Sequence, residues 1–352
     1  MSVKAPVKFT ERDFDAILAS LETEIRNKFP EWTDFSQATF GNLLLQLYAH
    51  VLDALDFYLN NQVNECFIGT VRLRRNMIAL GRLIGFKMNT ATAAQVDLNF
   101  SMTTAAAQDV LIPKGTRILT PDPVAPIEFR TKAAATIPAG NTGITVAAEN
   151  AQEKVENFTG NGKANQRYLL TAKPYIDATA IVTVAGQTWT AVDHFLFADS
   201  DDKVFQVLAD DQDRGEVRFG DGVNGLPPSG AIVVTYKIGG GKTGNVAADK
   251  ITELQGSFAD AAGAPVSLYV TNPAAAAGGE DRETVAQARI RAPKAFRSLT
   301  RTVSRDDYQT NALIVPGVGR TIAITYNEDA TVPLNTVTLP IIPTNGGLPP
   351  QT

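Results

Sequence analysis

Near residue 90 the apolar residues of this chain stop recurring at the period of a helix and begin recurring at that of a strand. Before that point Phe14, Ile17, Leu18, Leu21 and Ile25 hold helical spacing until Pro30 breaks it. After about Ala91, Val96, Leu98, Phe100 and Met102 alternate with polar neighbours, as a half-buried strand requires. One backbone segment cannot satisfy both periods, so helices and sheet must occupy separate regions of an α+β multidomain chain. At 352 residues a single core is too small a container, and two to four domains are expected.

The spacing predicts three helices in residues 1–90. Thr10-Glu11-Arg12-Asp13 reads as a capping box that opens the first. The second runs from about Phe40 to Val63, with Leu44, Leu47, Tyr48, Val51, Leu52, Leu55, Tyr58 and Leu59 on its stripe. Leu43 and Phe57 widen that surface beyond one face, which fits a helix packed on more than one neighbour. The third covers Val71 to Leu83 and ends at Gly85 as C-cap. Cys66, the single cysteine, is expected as a buried core thiol and excludes an intramolecular disulfide framework.

Residues 91–270 read as a mainly antiparallel β domain, sandwich or barrel. Ile112-Pro113-Lys114-Gly115-Thr116 and Ile137-Pro138-Ala139-Gly140-Asn141 are similar turns, each following a predicted strand. Residues 271–302 open with Asn272-Pro273, alanines and Gly278-Gly279 as a joint into a helical arm from Glu280 to Arg291, interrupted by Pro293. Residues 303–352 are expected as a partial α/β piece: Ser304 caps a helix from Asp307 to Leu313, and strands lie near 320–326 and 336–342. One helix and two strands bury little core. The missing layer is expected either from a partner or from a continuation beyond Gly346-Gly347-Leu348-Pro349-Pro350.

Gly239-Gly240-Gly241-Lys242-Thr243 invites a nucleotide-loop reading. The phosphate loop needs glycine five residues before the glycine of its Gly-Lys pair, and that position is Tyr236. The glycines instead predict turns. Asp221-Gly222 marks a reversal between Val217-Arg218-Phe219 and Ile232–Tyr236, and the glycine run closes a β hairpin. Lys242 reads as an ordinary surface lysine.

No other stretch carries recognisable chemistry. His50 lies at the edge of the second helix's stripe, and His194 sits in a turn with no nucleophile tied to it. No zinc spacing or nucleophile elbow occurs. Asp199–Asp202 and Asp210–Asp213 resemble calcium loops, but Arg214 stands where an EF-hand needs Asp or Asn, so solvated turns are expected. A net charge of −5 argues against general nucleic-acid binding, and no run of about twenty apolar residues predicts a membrane span. The amino terminus lacks a signal peptide's apolar core, so a soluble, cytosol-made protein is expected. Against that acidity stand Arg282, Arg289, Arg291, Lys294, Arg297, Arg301 and Arg305, either a solvated face or a docking surface for acidic partner subunits.

In order and spacing these regimes resemble the baseplate J-like family, wedge proteins of contractile phage tails and related injection machines. The resemblance is carried by Phe14–Leu59 and Ile112–Thr116 with Phe129-Arg130-Thr131. It continues through Arg218–Gly222, Gly225, Pro228, Tyr236, Gly239–Gly241 and Gly244-Asn245-Val246. Asn272-Pro273, Gly278-Gly279, Asp281, Ala288-Arg289, Ala292-Pro293, Asp307-Tyr308 and Pro316-Gly317-Val318 complete it. It implies a non-enzymatic structural subunit with no catalytic residue, cofactor or metal, located in the virion's tail baseplate and assembled in the host cytoplasm. The implied partners are a second copy in another conformation, other wedge proteins, hub and spike, and sheath-proximal proteins, with no nucleic acid and no membrane. In such proteins the amino-terminal helices enter a bundle shared with a second copy and another wedge protein. The expected interface residues are Leu44, Leu47, Tyr48, Val51, Leu55 and Tyr58, with Arg289, Arg297, Arg301 and Arg305. The rival is a glycan-binding or glycan-cleaving tail protein, which needs a carboxylate pair in an aromatic cleft; Trp32 and Trp189 lie far apart in sequence.

Overall fold

In the computed structural model, residues 7–9, 12–36, 39–298, 301–313, 315 and 318–343 are described. The chain divides into two compact units, Met1–Lys87 with Thr284–Arg297, and Met88–Glu283 with Ser298–Thr352. The architecture is α+β, with helices at the amino end, a central antiparallel β-rich region, and helices with small strands towards the carboxyl end.

The first unit holds α1 (Phe14–Lys28), α2 (Phe40–Asn64), α3 (Arg74–Leu83) and nearly all of α4 (Val285–Ser298). Asp13 is itself the N-cap of α1: its Oδ1 accepts the Ala16 amide at 3.0 Å. The capping-box reading is corrected accordingly, and its Thr10 and Glu11 lie outside the described residues, as do Pro316-Gly317 and Gly346–Pro350. Thr39 caps α2, accepting the Asn42 amide. The start of α3 is held by Glu65, whose carboxylate accepts the Arg72 and Leu73 amides and the Asn76 side chain. Gly85 follows α3 at φ 68°, the left-handed conformation that ends a helix.

Pro293 does not interrupt the arm. It lies inside α4, which begins later than its apolar pattern predicted and continues to Ser298. Proline removes one hydrogen bond, but Ala288 and Ala292 of the same helix are fully buried while Pro293 is exposed, so packing carries the helix past the defect. Cys66 is exposed, contrary to its expected burial, because it falls in the turns after α2 ends.

The second unit contains two β cores. The first is a six-stranded antiparallel sheet in the order Glu253–Leu254, Arg117–Leu119, Glu128–Thr131, Gly143–Glu149, Gln95–Ser101, Tyr269–Thr271. Along Gln95–Ser101 burial alternates residue by residue, with Leu98 and Phe100 fully inside. The strands Val110–Ile112 and Ala135–Ile137, which precede the two similar turns, pair antiparallel with each other. Their turns share a form: Gly115 and Gly140 have φ 80° and 86°, and the Thr116 and Asn141 amides donate to the Pro113 and Pro138 carbonyls.

The second core has two four-stranded sheets. One places Ser229–Gly239 between Ile181–Val184 and the long strand Ala151–Asn161. The other places Gly215–Phe219 between Val204–Ala209 and Arg167–Leu169. Phe205, Val217, Phe219, Ile232, Val234 and Tyr236 form its buried centre. The expected hairpin between Val217–Phe219 and Ile232–Tyr236 is therefore not formed, since the two strands belong to different sheets. In the last segment α5 (Arg305–Ala312) carries a full capping box between Ser304 and Asp307, and Val318–Thr321 pairs with Ile341–Pro343.

Candidate functional site

Tyr236 faces inwards from its strand, fully buried. Its hydroxyl donates to Glu156 and accepts the Ala172 amide at 3.1 Å. Burial first, and then the bond to Glu156, pushes its phenol well above the ordinary tyrosine value. Glu156 also accepts the Thr171 amide and hydroxyl. This network closes the sandwich core and offers no open acid.

The glycine run beyond it is a junction, not a hairpin turn. Gly240 donates to the Asn150 carbonyl at 3.0 Å and Gly241 to the Thr92 carbonyl at 2.9 Å. The Lys242 amide donates to Asp281 Oδ1 at 3.0 Å. Gly244 and Asn245 close a short 3₁₀ turn onto Gly241 and Lys242. A Cβ on Gly240 would lie 2.6 Å from the Thr92 carbonyl oxygen, so the glycine serves close backbone approach. A phosphate cradle needs free amides pointing at the ligand. These amides are occupied by oxygens of the chain itself.

The acidic tracts behave as turns. Asp210 Oδ1 accepts the Gln212 and Arg214 amides, and its Oδ2 accepts the Arg214 guanidinium at 2.9 Å. Asp221 Oδ1 accepts the Asn224 and Val223 amides, bonds that hold its carboxyl below the usual aspartate range. Among the described residues no group of His, Cys, Asp and Glu is arranged to hold a metal ion. His50 and His194 are exposed, the latter edge-on to Phe197.

The arginine segment is divided between the two units. Arg282 pairs with Asp213, and Arg305 pairs with Glu328 at 3.2 Å while donating to the Ala323 carbonyl; both belong to the second unit, as does exposed Arg301. Arg291, on α4, lies over the Phe86 ring and donates to the Lys87 carbonyl. Arg297 and Lys294 are exposed on the outer side of α4, and Arg289 is half-buried at its flank. Of the four arginines expected at an interface, Arg289 and Arg297 lie on α4 in the first unit, and Arg301 and Arg305 belong to the second.

The six expected residues of α2 do share a helix surface, and all are exposed, Tyr48 at 65% and Tyr58 at 68%. Phe40, Leu43, Leu52, Phe57 and Leu59 extend the same exposed surface. The inner seam runs through Asn42, Leu45, Ala49, Asp53, Asp56 and Asn60, which are buried or half-buried. An ordinary surface helix turns its apolar stripe to the core and its polar residues to water. Here the inner seam carries two aspartates and two asparagines, while leucines and tyrosines face outwards. Exposed apolar surface of this kind marks an interaction site. No described helix is long and apolar enough to cross a membrane. Outside α2 and α4, exposed Leu196, Phe197 and Val223 escaped the sequence reading, because lone apolar residues in loops carry no periodicity.

Residues 12–83, which hold α1, α2 and α3, match the family model described as bacteriophage baseplate protein, N-terminal domain. That match supports a structural role in a phage-like baseplate. A solved structure, the six-fold symmetrised baseplate of the anti-feeding prophage, is similar at 16% identity and a TM-score of 0.39, over 96% of this chain and 67% of that chain. This likeness is too remote to carry a functional argument. No curated protein gives a significant match.

Proposed function

We propose that the chain is a wedge subunit of the baseplate J-like kind, in a contractile tail or a related injection system. It is a scaffold with no catalytic residue. It assembles around the hub and spike and relays the rearrangement that triggers sheath contraction. The observation that carries this reading is the inverted α2 inside the segment that matches a baseplate amino-terminal domain. A helix whose leucines and tyrosines face outwards needs helical neighbours to cover them, and a bundle with a second copy and another wedge protein supplies them. The tail baseplate is the corresponding location. Co-expression with candidate wedge proteins followed by native mass spectrometry tests it, with a complex containing more than one copy expected. A chain that stays monomeric with every tail protein, and whose deletion leaves assembled tails unaltered, overturns it.

A further inference from the structure

The outer side of α4 carries a second unpartnered surface, different in chemistry from α2. From Val285 to Ser298 the helix has four basic residues and no acidic one, within a chain of net charge −5. At helical spacing, exposed Ile290 lies between exposed Lys294 and Arg297, opposite the buried Ala288 and Ala292, while exposed Phe296 and half-buried Arg289 flank the buried side. This outer side is an exposed isoleucine framed by two basic residues.

The second β core carries the complement. Two of its loops are stitched side by side, since the Gly225 amide donates to the Asp199 carbonyl at 2.9 Å and Leu226 to Asp202 at 2.8 Å. A Cβ on Gly225 would lie 3.4 Å from the Phe195 ring. From these joined loops Leu196 (73% exposed), Phe197 (83%) and Val223 stand into solvent. Around them are exposed Asp193, Asp199, Asp201, Asp202 and Asp221, with no Lys or Arg between residues 193 and 202. Lys203, at the edge, is bonded to the Gln187 side chain. The tip is apolar inside an acidic frame, which disfavours an anionic surface as its ligand and favours a basic one.

We propose that the outer side of α4 docks on this loop tip of a second copy of the chain. Aromatic and aliphatic tip residues form the dry centre of the contact, and the aspartates and basic residues pair around its rim. The two surfaces are different patches of one chain, so the contact is head-to-tail and propagates into a ring or an open array. The proposal rests on the multi-copy reading above and adds which surfaces meet.

The test uses the full chain with Phe197 replaced by a photoreactive benzoylphenylalanine. Light and ¹⁵N-labelled chains are mixed, irradiated and digested, and native mass spectrometry is run on the same sample. The expected result is a light–heavy cross-link from position 197 to the 285–298 segment. Its yield falls roughly tenfold in Lys294→Glu/Arg297→Glu and falls again at high salt. A complementary charge reversal, Asp201→Lys, restores cross-linking when mixed with that double variant. Oligomers without this cross-link, or with position 197 linked only within one chain or to another segment, overturn the docking while leaving the multi-copy reading intact. A chain that remains monomeric overturns both.

Discussion

Asn272 is fully buried and uses every hydrogen-bonding position of its amide. Oδ1 accepts the Lys250 and Ile251 amides at 2.9 and 2.8 Å, and Nδ2 donates to the Ala247 and Ala274 carbonyls at 2.9 Å. Removing that amide strands four backbone groups inside the protein, each costing part of its desolvation energy. Asn272→Ala is expected to destabilise the second unit by about 3 kcal/mol, measured by chemical unfolding. Asn272→Asp keeps the two accepted bonds but turns carboxylate oxygens towards two carbonyls, so it is expected to be no better than the alanine variant at neutral pH. The sequence showed Asn272 only as part of a joint, because an asparagine before proline has the same local signature whether it ends a strand or clamps two loops. Tyr236 was more legible: as a tyrosine at the phosphate-loop position it excludes a nucleotide cradle, and its buried hydroxyl agrees.

Among the elements, those specified by local chemistry were read closely from sequence and those specified by distant pairing were not. The extent of α2 and the Ser304 cap of α5 follow from periodicity and hydrogen-bonding residues within one turn. Ser229–Gly239 pairs with Ala151–Asn161 and Ile181–Val184, and no residue near these strands encodes that choice over the sequence-adjacent Gly215–Phe219. Glu65 lies between these cases: it caps α3 from the turn after α2, through a contact the helix's own sequence does not announce. Burial raises its carboxyl, but the Asn76, Leu73 and Arg72 bonds outweigh that and leave it below the ordinary 4.5. A depressed native value means stabilisation that is complete above the unfolded value and lost as pH falls through the native one. Glu65→Gln is therefore expected to cost about 1 kcal/mol at neutral pH, speeding amide exchange across Arg74–Leu83 about fivefold. Below pH 4.5 the gap between wild type and variant is expected to close. On α2, Leu47→Gln with Leu55→Gln is expected to change the free chain's stability by less than about 0.5 kcal/mol per site, since both residues are exposed. On the proposed reading, the same pair is expected to abolish copurification with baseplate partners, an outcome that core residues could not give without unfolding.

At the scale of the whole molecule, the sequence marked the change from helix to sheet near residue 90, and the boundary between the two compact units falls at Lys87 and Met88. The return of α4 to the first unit was not legible, because nothing in an alanine-rich arm names the surface its alanines will meet. The two units differ sharply in what they bury. Among the described residues, Met77 alone of the largest fully buried side chains belongs to the first unit, whereas Phe100, Phe129, Tyr175, Phe205 and Tyr236 belong to the second. Burial of apolar area is the main favourable term in folding, so the first unit is expected to be the less stable while its α2 surface remains bare. Calorimetry of the free chain is expected to show two transitions, the lower from the helical unit. Leu45→Ala, at a buried position on the inner seam of α2, is expected to lower only the first transition by the equivalent of about 2–3 kcal/mol. Asn272→Ala is expected to lower only the second. A partner that covers α2 stabilises by binding the folded form alone, so saturating partner moves the lower transition upwards until the two merge. A single transition in the free chain that both substitutions shift equally would show instead that the units unfold as one, and that the helical unit does not depend on its partner for stability.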